Sequence, residues 1–206
     1  MKITLSFPPC GTDIPYFDAT EFDPNERHEY VDLRSNPGGV NDLPEIRHAP
    51  RLKDFLLAIN GNGTFFRTFG CNYVLFPEET IETEHATRTI TPAAAHSYVH
   101  VGFADISRCE NLDDYYRLCG RLSKHLYEQA EFQGNSGEAD GAAKAEFFQV
   151  ELSIESLRME NQDKGHALAI SCHVQGWTED EARQRWLQLM SVVSGFLARE
   201  DRNGAW

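Results

Sequence analysis

Residues 146–177, EFFQVELSIESLRMENQDKGHALAISCHVQGW, carry two runs in which apolar and polar side chains alternate. In the first, Glu146–Arg158, Phe148, Val150, Leu152 and Ile154 fall on one side, and Gln149, Glu151, Ser153 and Glu155 on the other. In the second, His166–Trp177, Leu168, Ile170, Cys172 and Val174 alternate with Ser171, His173 and Gln175. A period of two is the signature of a strand with one buried face. The polar residues 160–165 between the runs, ending in Gly165, read as a turn. The pair predicts an antiparallel hairpin.

Working outward, Thr178-Glu179-Asp180-Glu181 spells a capping box, so a helix is expected from there to about Arg199. Trp186, Leu187, Leu189, Met190, Val192, Val193, Phe196 and Leu197 cover more than one stripe of it. A helix this apolar is buried on two sides or meets a partner. Upstream, His96–Asp105 alternates again, with Val99, Val101 and Phe103 on one side and His96, Tyr98, His100 and Gly102 on the other. Asn111 reads as the N-cap of a helix with Asp113 and Asp114 in its first turn and a stripe of Leu112, Tyr115, Cys119, Leu122 and Leu126.

The back half thus reads strand, helix, strand, strand, helix. The expected fold class is α+β, an antiparallel sheet with helices on one face and a ferredoxin-like βαββα back half. A missing fourth strand could come from Lys2–Phe7 or from Thr64–Phe76. Gly70 within the latter suggests a bulge. Pro50, Leu52, Phe55, Leu56 and Ile59 predict a helix that Asn60-Gly61-Asn62-Gly63 ends. The front half therefore also reads strand, helix, strand, which raises a degenerate internal duplication. Residues 78–91 are polar and threonine-rich and read as an edge strand or loop, and 133–143 as a flexible loop.

The chain is expected to form one α+β domain over residues 1–206, with an irregular, acidic, proline-rich segment at about 8–49. Seven of the nine prolines fall in the first fifty residues. Tyr16, Phe17, Phe22 and Tyr30 in that segment are candidate partner-binding aromatics, and a short strand or helical turn is expected near Tyr30–Arg34.

Charge narrows the function classes. Thirty-two acidic residues against nineteen basic ones leave −13. Nucleic-acid binders neutralise phosphates with Lys and Arg, so no nucleic-acid partner is expected. No membrane contact is expected either: anionic lipid surfaces disfavour the charge, and no apolar run is long enough to span. The five cysteines are widely spaced, with no C-x-x-C, so neither a disulfide framework nor a zinc ribbon is read. The first nine residues lack the apolar stretch of a secretory leader, and the expected address is cytoplasmic.

No G-x-S-x-G, Walker or Rossmann spacing occurs. The best candidate site is the polar sheet face: His96, Tyr98 and His100 on one strand, Glu151 and Glu155 on the next, and His173 on the third. Imidazoles and carboxylates can hold a divalent ion or act as acid and base. His96 and His100, four residues apart on a strand, are about 13 Å apart along the backbone, wide for two ligands of one ion. No metal or cofactor is assigned.

The leading expectation is a non-catalytic, acidic cytosolic binding protein, an inhibitor or immunity-type protein with a basic protein partner such as a toxin. The alternative is a metal-assisted hydrolase using the His/Glu face. A homodimer packed sheet to sheet is a third reading.

Overall fold

The computed structural model describes residues 1–14, 30–82, 88–129, 148–159 and 162–203. The quoted stretch forms the expected hairpin. Phe148–Met159 and Gln162–Gly176 pair antiparallel, with Val150 opposite Cys172, Leu152 opposite Ile170 and Ile154 opposite Leu168. All six are buried, so the inward face is a continuous aliphatic row.

In chain order the strands are β1 (Lys2–Ile14), β2 (Phe66–Phe76), β3 (Glu79–Glu82), β4 (Arg88–Thr91), β5 (Ala93–Phe103), β6 (Phe148–Met159) and β7 (Gln162–Gly176). The helices are α1 (Pro44–His48), α2 (Pro50–Ile59), α3 (Leu112–Glu128) and α4 (Glu179–Asn203), with a 3-10 turn at Pro37–Asp42. Five strands form one sheet in the order β1-β6-β7-β5-β2. The fold is mixed α+β.

The sequence predicts an antiparallel sheet, and the sheet is instead mixed. β1 runs parallel to β6, Ile3 opposite Val150 and Leu5 opposite Leu152. Antiparallel order is imposed by a short hairpin turn, whereas strands far apart in the chain can pair either way. Both stretches offered as the missing fourth strand join the sheet, at opposite edges. β1 also runs on to Ile14, into the stretch read as irregular. Its register shifts between Ser6 and Cys10, across Pro8 and Pro9. An edge strand tolerates prolines because one row of its backbone groups needs no partner.

β2 and β5 pair antiparallel with one slip between Thr68 and Gly70, the bulge that Gly70 suggested. The ribbon then continues: Phe76 faces Ala94, and beyond Pro77 and Pro92 the β3–β4 pair resumes with Glu79 facing Thr91. Each proline lacks a ladder N–H, which breaks the hydrogen bonding without breaking the register.

α2 starts on Pro50 and buries Leu52, Phe55, Leu56 and Ile59. Asn60 ties its end to β2, accepting from the Thr68 N–H at 3.0 Å and donating to Thr68 Oγ1 at 2.7 Å. Gly63 takes a φ of 90°, which the turn requires and a side chain would resist. α3 starts on Asn111, whose side chain accepts from the Asp113 N–H at 3.2 Å, and ends at Glu128.

α4 lies along β7 and β5 and is flanked by α2 and α3. Its surplus apolar residues are thereby used within the chain. Trp186 packs edge-on to Tyr73 at 4.6 Å and donates to Ser97 Oγ at 2.8 Å. Toward the other end, Arg121 of α3 meets Glu200 at 2.8 Å and the His125 ring stacks on Phe196 at 5.4 Å. No helix among the described residues is long and apolar enough to cross a membrane.

Candidate functional site

Strand registers turn the second face of the sheet into a grid. One row runs Val74–His96–His173–Gln149, the next Asn72–Tyr98–Ser171–Glu151, and the next Gly70–His100–Ala169–Ser153. Glu155 lies opposite Ala167, one step further along β6. All six residues singled out on the polar face, His96, Tyr98, His100, Glu151, Glu155 and His173, therefore share one surface. Alternation and pairing put them there, since cross-strand neighbours project to the same side.

The face is graded in burial. His96 and Glu151 are exposed, and Tyr98, Ser171, His173 and Gln175 half-buried. Toward the Gly70 end, His100, Ser153, Ala167 and Ala169 are buried. Chemistry divides with it. At the open end the His96 and His173 rings approach edge-on with centroids 6.2 Å apart. Burial lowers the His173 imidazole below its ordinary range, and the facing His96 adds to that. Glu151 accepts from Ser6 Oγ at 2.8 Å across the β1–β6 pair.

Tyr98, half-buried beside the open end, tilts against His100 at the covered end with centroids 4.9 Å apart. His100 Nε2 stands 3.8 Å from Glu155 Oε2, and Ser153 Oγ donates to Glu155 Oε1 at 3.2 Å. Burial pushes His100 down to about 4 and raises the Glu155 carboxyl. Near neutrality the His100 imidazole is neutral, and at 3.8 Å it stands too far from the Glu155 carboxyl for a direct hydrogen bond. Charging His100 here carries the desolvation cost of its burial.

The six residues share a surface but divide into two groups. His96 and His173 stand at the open end, and His100 and Glu155 at the covered one. Among the described residues, no three His, Cys, Asp or Glu side chains come close enough together to hold a metal ion.

Tyr16, Phe17 and Phe22 lie outside the described residues. Tyr30 is half-buried and packs down onto the domain. Its hydroxyl accepts from Arg67 Nη2 at 2.7 Å and its ring stacks on Phe69 at 6.3 Å. Arg67 is also paired with Asp32 at 2.8 Å, and Arg34 donates to the carbonyls of Thr64 and Phe66. Two guanidiniums thus clip residues 30–34 to the start of β2. The local structure there is a turn closed by the Asn36 N–H on the Asp32 carbonyl at 2.9 Å.

Sequence reasoning missed the small residues that shape the covered end. A Cβ on Gly70 would stand 3.1 Å from His100 Nδ1, so glycine makes room for the imidazole. Ala167 and Ala169 leave space beside it. The signal was present: in His166-Ala-Leu-Ala-Ile-Ser171 the polar face of β7 carries only small side chains. Cys71 and Cys172 stand opposite Val99 and Val150 on the other face of the sheet, and Cys119 is on α3. Cys71, Cys119 and Cys172 are each pushed up to about 12 by burial, which leaves them protonated and inert.

No protein-family model, no curated protein and no solved structure matches this chain, so no relative lends a role to any of these residues.

Proposed function

We propose that the protein is a non-catalytic, acidic binding protein of the inhibitor or immunity type, acting in the cytoplasm on a basic protein partner such as a toxin. The observation that supports this reading most is the open end of the sheet face. It lies opposite the face that α4 covers, and it combines half-buried Tyr98 and His173 with exposed His96 and Glu151 on a rigid strand framework. Binding surfaces of this kind place aromatic and polar groups on fixed backbone. A net charge of −13 favours a basic partner and speeds its approach, and it disfavours nucleic acid.

The strand order supports a finer fold assignment. β5 and β6 are both antiparallel to β7, which lies between them, and α3 connects them. That supports a ferredoxin-like split βαβ unit, with β2 standing where the fourth strand of such a unit would lie. A degenerate duplication and a sheet-to-sheet homodimer have no comparable support. Metal-assisted hydrolysis is the weaker functional reading, because the imidazoles pair off at separate ends of the face.

Affinity capture from lysate of the source cells, with identification by mass spectrometry, tests the proposal. A basic protein should be retained at low ionic strength and released at about 0.5 M salt, where screening is strong. The activity of that protein should fall when the complex forms. Retention of no basic protein, or a complex indifferent to salt, overturns the reading.

A further inference from the structure

β2 is the last strand of the sheet, and its exposed end lies beside the junction of β7 with α4. On the open face Phe76 is paired with Ala94, which is paired with Gln175. The adjoining row is Val74–His96–His173. Trp177 follows Gly176, the last residue of β7. Three apolar side chains at this corner stay in water: Val74 is 38%, Phe76 50% and Trp177 58% exposed. Ala94 between them is buried and forms a small floor. Scattered exposed apolar residues need no explanation, but three at one corner of a sheet face mark a contact site.

Two further features give the corner a direction. The strand from Thr68 to Phe76 contains no charged residue. Natural sheet edges are commonly guarded by lysine, proline or a bulge, and this half of the edge beyond the bulge is not. Acids stand around it: Glu78 is exposed just past Phe76 and Pro77, and Glu179 and Asp180 are exposed just past Trp177 and Thr178. Glu179 is near enough to Tyr73, the neighbour of Val74, to act on it electrostatically. Among the described residues, the two bases nearest the corner are each paired with an acid: Arg183 stands 3.9 Å from Asp180, and Arg185 pairs with Glu181 and donates to the Gln175 carbonyl at 2.6 Å.

The backbone beneath Trp177 is fixed. A Cβ on Gly176 would fall 2.3 Å from the Ala182 nitrogen, so strand and helix meet there with no room to shift. The Trp177 N–H donates to Glu181 Oε2 at 2.8 Å. An aromatic held out on rigid backbone loses little entropy on binding, which suits an anchor.

We propose that Val74, Phe76 and Trp177 form the anchor point for a basic protein partner, which covers them with apolar side chains while its Lys and Arg residues face Glu78, Glu179 and Asp180. This rests on the binding reading above and adds where and how the partner docks. A second copy of the chain is disfavoured as occupant, because it would bring the same acids together at −13 per chain.

The test repeats the lysate capture with wild type, the double variant Phe76→Ser/Trp177→Ser, and Tyr127→Ser as a control for an exposed aromatic elsewhere. Circular dichroism checks the fold of each. Wild type and Tyr127→Ser should retain the same basic protein, and the double variant should bind it at least about tenfold more weakly. Equal retention by the double variant overturns the anchor while leaving the binding reading intact. If wild type retains no basic protein, both fall. Sedimentation of the purified chain completes the set. A dimer that the double variant splits would make a second copy the occupant, and the proposal would be wrong.

Discussion

The His100 imidazole stands 3.8 Å from the Glu155 carboxylate, Nε2 to Oε2, at the covered end of the sheet face. His100 is only 3% exposed, and burial alone brings it from its ordinary 6.5 to about 4. Between those values the unfolded chain takes up a proton that the folded one refuses. Stability should therefore fall as pH drops from about 6.5 toward about 4. Glu155 acts in the opposite sense. Its raised carboxyl contributes stability below the usual carboxylate range and loses it as pH rises through the raised value. His100→Gln should remove an acid-side loss of up to about 3 kcal/mol, a shift of this size at about 1.36 kcal/mol per unit. Urea unfolding at about pH 7.5 and about pH 5 checks it, and a pH dependence that the variant leaves unchanged counts against a buried neutral His100.

Gly70 should be needed for its size. With a Cβ 3.1 Å from His100 Nδ1, Gly70→Ala forces the imidazole to give by a few tenths of an ångström in a packed setting. The expected loss is about 1–2 kcal/mol, in the usual range for overpacking. A proton NMR titration of His100 should move with it. A variant as stable as wild type with an unmoved His100 resonance would show that the ring has room to spare.

Ser97 should matter more than a small hydroxyl usually does. It is the acceptor for the Trp186 indole N–H at 2.8 Å, and both residues are buried. Ser97→Ala strands that donor, at a cost of about 1–3 kcal/mol. For a chain of this length that lowers Tm by roughly 2–4 °C per kcal/mol. Calorimetry gives the number. Trp186→Phe in the same background removes the stranded donor, and any further loss then reads the cavity that the smaller ring leaves.

Glu200 is a carboxylate only 4% exposed, held by Arg121 at 2.8 Å. Arg121→Met would leave it without that cation and should destabilise by about 2–3 kcal/mol, toward the lower end for a broken buried pair because the Arg121 side chain is 41% exposed. The double variant Arg121→Met/Glu200→Gln should recover part of this. Equal destabilisation in single and double variants, read by urea denaturation, would show that the pair is not coupled.

Much of the fold was legible along the chain because its causes are local. Alternation at 148–155 and 168–175 follows from the two-residue period of a strand. The Asn111 cap and the α2 stripe follow from helix geometry. Even local rules bent where the chain turned. Glu181 was expected to satisfy the Thr178 N–H, and it instead accepts from Trp177, one residue earlier. Thr178 Oγ1 does accept from the Glu181 N–H at 3.2 Å, as a capping residue should.

By itself, then, the sequence determined most strands and helices, though neither β1 beyond Phe7 nor α1, together with the inward and outward residues and the acidic charge, since each depends on neighbours within a few positions. Only the tertiary structure decided that β1 runs parallel beside β6, that His96 meets His173 while His100 meets Glu155, and that Gly70 makes room for an imidazole thirty residues away. Those facts depend on the register between strands that the chain brings together from far apart. Register is set by the fit of whole faces rather than by any local signal.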